Sequence, residues 1–443
     1  MRILASCMAA LLLVAPVAGA QDDAAARAKA RQDSIAKAVR DSIALMKELG
    51  GALAAPADSA GAARAPAEGQ PTGPQGGPTN PRLLPDISAV GDIVFDFSPE
   101  GTTQEDSARL SVREVEVAIQ AVVDPYFRGD IFLGVNDLEG IAIEQAYLTT
   151  TSLPHQLEVR LGRYRMPFGK QNTTHRHDLH TIDYPFVIQS FFSAEGLKGT
   201  GVQASRVFSP FGFYQELIVT AVDRLTERPE GLITAQAVNE DLDALGYTAR
   251  LRNYVDISEA ANLELSLSAL TGKREQPLDE TYALGLPDGI NAAIARQSVI
   301  GADFTYRWRP LQQGLYRSFI LQSEVMRQLN QSDPRIPGPA CVACVAAPSG
   351  YAGPTRDFTG AYVFARYQTS RRAFVGARYD YLQDPQNDGR TLNAGSVYLE
   401  LFPSEFSKLV AGYEAVSPSG GTVTNRLLFQ ATFALGPHKP HPF

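Results

Sequence analysis

Cysteine is nearly absent from this chain, with three in 443 residues. Cys7 lies near the N-terminus, and Cys341 and Cys344 stand together in CVAC. That excludes a scaffold built on disulfides. The flanking PGPACVACVAAPSG offers no further zinc ligand, so the plain reading of CVAC is a small local disulfide in a loop. Long apolar runs are missing too. Beyond Val17 nothing approaches the roughly 20 apolar residues of a spanning helix, although 44% of the residues are hydrophobic. A large charge imbalance is also lacking. The net charge of −8 is mild for this length and argues against a nucleic-acid partner. HExxH is absent, and no GxSxG frame surrounds Ser190 or Ser193, so neither common hydrolase chemistry is supported. The chain reads as a non-enzyme that needs no cofactor.

What is present divides the chain into four parts. Residues 1–20 (MRILASCMAALLLVAPVAGA) carry a short positive start, an apolar run and a small-residue cleavage site, which predicts a secretory signal peptide. Leu4-Ala5-Ser6-Cys7 has the form of a lipidation box, but no apolar core precedes it. Residues 21–50 are rich in Ala, Arg, Lys and Glu, contain no proline and stop at Gly50-Gly51. They predict a periplasmic helix with a thin heptad-like stripe through Ile35, Val39, Met46 and Leu49. A solvated single helix and a short oligomerising or tethering coil both fit. Residues 51–85 are Ala/Pro/Gly-rich, cannot bury a core and read as a disordered linker.

From residue 86 to 443 the pattern changes to period two. Leu263, Leu265 and Leu267 alternate with Glu264, Ser266 and Ser268; Ile300, Ala302, Phe304 and Tyr306 alternate with Gly301, Asp303 and Thr305. Such runs predict strands with one apolar and one polar face. About sixteen can be counted, each around nine to thirteen residues, the length that a tilted membrane strand requires. They begin near Ile87, Leu110, Gly129, Ile141, Gln156, Gly199, Phe213, Leu245, Asn262, Gln297, Arg317, Phe358, Arg372, Arg390, Lys408 and Thr424. Around Leu110 to Arg113 the phase slips, which predicts a bulge. Proline-rich GPHKPHPF cannot join a ladder, so the last strand is expected to stop near Leu435.

The connections alternate in length. DPYFR, TSLPH, FSPFG, the dipeptide SR and PSEF are short; Gly162 to Lys198, Asp223 to Ala244, Gly272 to Arg296 and Asn330 to Asp357 are long. Tight turns on one rim and large loops on the other predict an all-β, antiparallel transmembrane β-barrel of about sixteen strands. Tyr126, Phe127, Phe208, Phe211, Trp308, Tyr316, Phe402 and Phe406 collect at the short-turn rim, as an interfacial belt requires. The implied location is the outer membrane of a Gram-negative bacterium, with lipid around the barrel, water within it and the N-terminal helix in the periplasm. The alternative is a structural tether that uses the barrel as anchor and the helix as periplasmic link.

PDISAVGDI, VDPY, IEQAYLT, GRYRMPFG with its His-rich continuation, and TIDYPFV recur in order. On these motifs the segment from Pro85 to Phe443 resembles the phosphate-selective porin O/P-type family. The resemblance implies a sixteen-stranded homotrimeric porin whose third long loop folds into the pore, and small ions or solutes, phosphate among them, as cargo. The inward charges depart from an anion ladder. By parity the inward acids are Glu114, Glu116, Asp130, Glu144, Glu158, Glu216, Glu264, Asp303, Glu324, Asp380, Glu400 and Glu414. The inward bases are Arg160, Arg250, Arg252, Arg307, Arg378, Lys408 and Arg426. Acids outnumber bases. Glu144, Arg160, Arg250, Arg252, Asp303, Arg307, Arg378 and Arg426 are the candidate pore-wall residues.

The densest chemistry lies in GRYRMPFGKQNTTHRHDLH, Gly162 to His180. Arg163, Arg165, Lys170, His175, Arg176, His177, Asp178 and His180 are the candidates for a basic, His-rich constriction that favours anions. The rival reading of His175, His177, His180 and Asp178 is a metal site, since imidazoles suit zinc, copper or nickel. Arg176 between two of the ligands argues against it. A loop held by hydrogen bonds alone is the third reading.

Overall fold

A computed structural model describes residues 85–98, 109–136, 140–225, 245–277, 292–332, 355–385 and 390–436. The expected signal peptide, helix and linker, the CVAC pair and most of the other long loops lie outside the described residues. Among the described residues there are sixteen strands. They are β1 (Asp86–Asp96), β2 (Leu110–Val122), β3 (Phe127–Asn136), β4 (Gly140–Thr150), β5 (Leu157–Arg165), β6 (Lys198–Phe208), β7 (Tyr214–Val222) and β8 (Gly246–Ser258). Then follow β9 (Ala261–Pro277), β10 (Ala292–Trp308), β11 (Phe319–Ser332), β12 (Thr355–Ser370), β13 (Ala373–Asp384), β14 (Arg390–Ser404), β15 (Ser407–Pro418) and β16 (Thr424–Leu435). Each pairs antiparallel with its sequence neighbours, and β1 pairs with β16 from Ala89↔Leu435 to Asp96↔Leu428, closing the barrel. Closure leaves no open sheet edge. β16 ends at Leu435, where the proline-rich tail begins.

The side chains follow the parity the sequence shows. On β14, Ala394, Ser396, Tyr398, Glu400 and Phe402 are buried inside, while Val397, Leu399 and Leu401 face out. The outward set continues around the barrel through Leu217, Leu267, Ile300, Val325, Val363, Val375, Tyr413 and Leu427, all exposed. Phe402 corrects the aromatic belt: it turns inward, edge-on to Phe374 at 5.5 Å. Tyr126, Phe211, Tyr316 and Phe406 of that belt are exposed at the short-turn rim. Strand length is a second correction. β9 and β10 are each 17 residues and pair without interruption from Trp308↔Ala261 to Ala292↔Pro277. The hairpin therefore runs past the length that the membrane alone demands.

Two bulges place charge on the inner wall. Asp92 pairs with Glu114 but Ile93 with Val112, so Arg113 is the extra residue. Phe132 pairs with Gln145 but Leu133 with Ile143, so Glu144 is extra. A bulge re-aims a side chain, and Arg113, Glu144 and Gln145 are all buried.

The pairing of β4 with β5 is short, from Ala146↔Arg163 to Thr149↔Arg160. At its end Gly162 has φ of 132°, and a Cβ there would sit 2.1 Å from the Ala146 carbonyl oxygen. Beyond this point β5 leaves β4. Gly162→Ala is expected to strain the backbone by roughly 1–3 kcal/mol and to lower the melting temperature of the purified protein. An unchanged melt would show that the close approach is not needed.

Candidate functional site

The loop from Met166 to Leu197 enters the barrel and packs on its inner face. The reason lies in its apolar residues. Met166, Phe168, Leu179, Ile182, Tyr184, Val187, Ile188, Phe191 and Leu197 are each at most 1% exposed. They join Val94, Val299, Met326, Phe358, Tyr362, Phe364, Tyr398 and Val410 of the wall in one cluster. Fully burying such a side chain contributes about 1.5–3 kcal/mol. Pro185 precedes the short helix α1 (Phe186–Phe191), which lays Val187, Ile188 and Phe191 into this cluster.

Polar contacts fix the loop from most of the circumference. At its stem the Asn172 amide donates to the carbonyls of Met166 (2.8 Å) and Leu197 (3.0 Å), and its oxygen accepts from Leu197 N (2.6 Å). Gly169 N donates to Ser268 on β9, and Gln171 N to Glu324 on β11. Phe186 N donates to Asp380 on β13, and the Gln297 amide on β10 donates to Phe191 O. Lys408 on β15 is fully buried and donates to the carbonyls of His177 and Leu179. Arg113 on β2 donates to Ile182 O at 2.9 Å.

The sequence-predicted residues divide on this scaffold. Arg163 stands apart: it lies on β5 and its guanidinium donates to Ile143 O at 2.8 Å, a carbonyl beyond the end of the β4–β5 pairing. Arg165, also on β5, is buried and donates to Glu195 O at 2.7 Å. Lys170 reaches Glu264 at 2.8 Å. His175 Nδ1 lies 2.6 Å from Glu116, and its Nε2 lies 2.7 Å from the Gln145 amide. Arg176 turns to Asp183 at 2.8 Å. His177 is buried beside Asp178, 3.7 Å away. His180 lies 3.8 Å from Glu400 and stacks near Phe364.

On the wall, Glu144 accepts from Lys198 at 2.6 Å, and Arg250 pairs with Asp303 at 3.1 Å. Arg252 bridges Glu216 (2.8 Å) and Glu264 (3.3 Å), and Arg307 joins the same Glu264 at 3.0 Å. Arg378 holds Asp380 at 2.6 Å, and Arg426 holds Glu414 at 3.2 Å. Arg160 lies over the Tyr147 ring at 4.4 Å. Of the two serines considered as nucleophiles, Ser190 bonds to Asp384 and Ser193 to Gly196 O.

Parity counting missed several inward groups. Arg113 was hidden by the bulge, and Arg366 by its neighbours Tyr362 and Phe364. Those rings suggest a lipid-facing side but pack on the loop, while Arg366 binds Glu400. Asp92 and Asp96 on β1 are also buried inside.

The charge that water meets differs from the charge the wall carries. Asp92, Glu116, Glu264, Asp303, Glu324, Asp380 and Glu400 are each at most 2% exposed. Side chains of Lys170, Arg176, Arg252, Arg307 and Arg426 keep between 23% and 32%. Asp178, Asp183, Glu195, Glu158 and Glu216 offset part of this. The acid excess counted from the sequence is largely withdrawn into ion pairs beneath the loop.

Asp183 anchors the loop electrostatically. Burial alone would raise its carboxyl, but Arg176, Arg113 and Arg426 hold it well below the usual carboxylate range. A depressed carboxylate contributes its full stability above its unfolded value and loses it progressively as pH falls from there through the folded one. Asp183→Asn is expected to cost about 1–3 kcal/mol at neutral pH, read by thermal melting. Its gap to the unmodified protein should be full at neutral pH, shrink as pH falls through the ordinary carboxylate range and close in stronger acid. A gap that closes as pH rises from neutral would contradict this anchor.

No family model matches the chain. A protein of Aquifex aeolicus (strain VF5), named only "Uncharacterized protein", is 25% identical over 407 residues, covering 82% of this chain and 80% of that one. Among solved structures, the chain is similar to the trimer form of OmpT, an outer membrane protein of Vibrio cholerae. The TM-score is 0.50 at 11% identity, covering 79% of this chain and 99% of that one. The loop L8 deletion mutant of the same protein gives 0.50 at 10% identity, with 79% and 99% covered. The outer membrane channel DcaP of Acinetobacter baumannii gives 0.49 at 12% identity, with 80% and 97% covered. The likeness to OmpT establishes the fold.

Proposed function

We propose that this chain is an outer-membrane porin that gives passive diffusion to small hydrophilic solutes, narrowed by its inward loop and preferring anions. The single observation that carries the reading is the sorting of side chains on a closed barrel. A continuous apolar surface faces out, and a charged, ion-paired surface faces in around the loop. Apolar area of that extent is stable against lipid, and a closed ladder leaves no backbone group unsatisfied there. The anion preference rests on the part-exposed bases Lys170, Arg176, Arg252, Arg307 and Arg426, since cations at a constriction raise local anion concentration and oppose cation entry. The ordered motifs support membership of the phosphate-selective O/P-type family, with phosphate as one cargo. The trimer form of the similar outer membrane protein supports a homotrimer.

The test is the zero-current potential across a planar bilayer under a KCl gradient, before and after adding phosphate. An anion-selective potential, with chloride current reduced by phosphate, is expected. A cation-selective potential would refute the basic constriction. An anion-selective potential indifferent to phosphate would leave the porin and remove phosphate from its cargo.

A further inference from the structure

His175 and His177 leave the loop side by side. The 3₁₀ turn Arg176–Asp178, with His175 at its start, sets their rings 5.5 Å apart and sends Arg176 the other way, to Asp183. The cation that argued against a metal in the sequence is thus turned from the imidazoles. Both Nδ1 atoms face one carboxylate oxygen of Glu116 on β2, at 2.6 Å for His175 and 4.0 Å for His177. One ligand atom from each of the three residues lies within 4.8 Å of the others.

We propose that Glu116, His175 and His177 form a binding site for a divalent transition metal of the zinc class, which pins the inward loop to the barrel wall. Metal–donor bonds of about 2.0–2.1 Å in a tetrahedron set donors roughly 3.3 Å apart. The His175–Glu116 contact opens and the His177–Glu116 contact closes, each by less than about 1 Å, and the two imidazole nitrogens, within 4.8 Å of each other, close by up to about 1.5 Å. Two imidazoles and one carboxylate suit zinc, nickel or copper and not calcium or magnesium. Metal-bound histidines usually hold their far ring nitrogen on an orienting group, and each far nitrogen here faces one candidate. His177 Nε2 lies 3.7 Å from Asp178 without a hydrogen bond to it, and His175 Nε2 faces the Gln145 amide, which has to turn its oxygen from Arg165 N to the ring when the metal binds. Lys408, the nearest cation on β15, has its ammonium on the His177 and Leu179 carbonyls. The fourth position falls to water. His180, part of the three-imidazole reading of the sequence, lies instead beside Glu400. The site depends on the fold and not on whether the barrel conducts.

The test is calorimetric titration of Zn2+ into the full chain, purified in detergent and freed of metal by chelator. One saturable ion per chain and a raised melting temperature are expected, with no response to Ca2+. Glu116→Gln and His177→Ala should each weaken binding by at least about 10-fold, while His180→Ala and a double His438→Ala/His441→Ala variant should bind as before. Saturable binding that survives Glu116→Gln, or is lost only with the C-terminal histidines, would overturn the site. Should those variants fail to fold, Co2+ titrated into the unmodified chain decides. Intense visible absorption of four-coordinate cobalt supports the site, and the weak spectrum of the hydrated ion overturns it.

Discussion

Excising residues 167–196 and joining Met166 to Leu197 through Gly-Gly is expected to raise single-channel conductance severalfold while the barrel still folds. The stems permit the join, because Met166 N donates to Leu197 O at 3.0 Å, so two residues close the turn. The barrel keeps all its strand pairs. The wall carboxylates and guanidiniums now beneath the loop do not become unpaired buried charges, since water replaces the loop over all of them at once. Point changes act differently. Asn172→Leu removes three hydrogen bonds at the stem and leaves Leu197 N without its acceptor, at about 1–3 kcal/mol for that buried group, while the Met166 and Leu197 carbonyls keep their bonds from Phe168 N and Met166 N. It should loosen the loop, seen as noisy conductance steps and faster proteolysis within residues 167–196. If excision left conductance unchanged, the loop would not narrow the path.

Replacing Lys170, Arg252 and Arg307 together by glutamine is expected to turn the channel from anion- to cation-preferring. These three cations share one buried carboxylate, Glu264. Burial alone would lower the Lys170 ammonium, and Glu264 opposes this without restoring the usual lysine value. A unit charge a few ångströms from an ion in water is worth about 1 kcal/mol, or roughly fivefold in local concentration. Removing three leaves Glu264 and Glu216 as the local charge. The reciprocal change, Glu264→Gln, takes the carboxylate from Lys170 and Arg307, leaves Arg252 on Glu216 alone and should strengthen anion preference. Reversal potentials that moved the same way in both variants would show that this cluster does not set selectivity.

Much of the barrel was legible because period-two patterning is a physical requirement on a wall with lipid on one side and polar contacts on the other. The slip at Leu110 to Arg113 showed the bulge that aims Arg113 inward, and the proline-rich tail showed the end of β16. The second bulge, at Glu144, left no comparable trace, since IEQAYLT alternates acceptably in either phase. Parity could not show what covers a wall residue. Glu264, Asp303 and Asp380 read as pore-facing, yet all three are buried, Asp303 under Arg250, Glu264 under Lys170 of the loop and two wall arginines, and Asp380 against Arg378 and the loop at Phe186. The loop was read for its charges, but Phe168, Val187, Ile188 and Phe191 dock it, and their partners Tyr362 and Phe364 look like lipid-facing rings. Glu116 lies 59 residues from His175, so only the fold brings that carboxylate to the imidazoles.

The most direct measurement is the current through a planar lipid bilayer as purified, detergent-held protein is added to one side. Discrete, uniform conductance steps that persist at fixed voltage are expected of a barrel with lipid outside and water inside. A chain that stays soluble when detergent is removed, and adds no current, would contradict that arrangement.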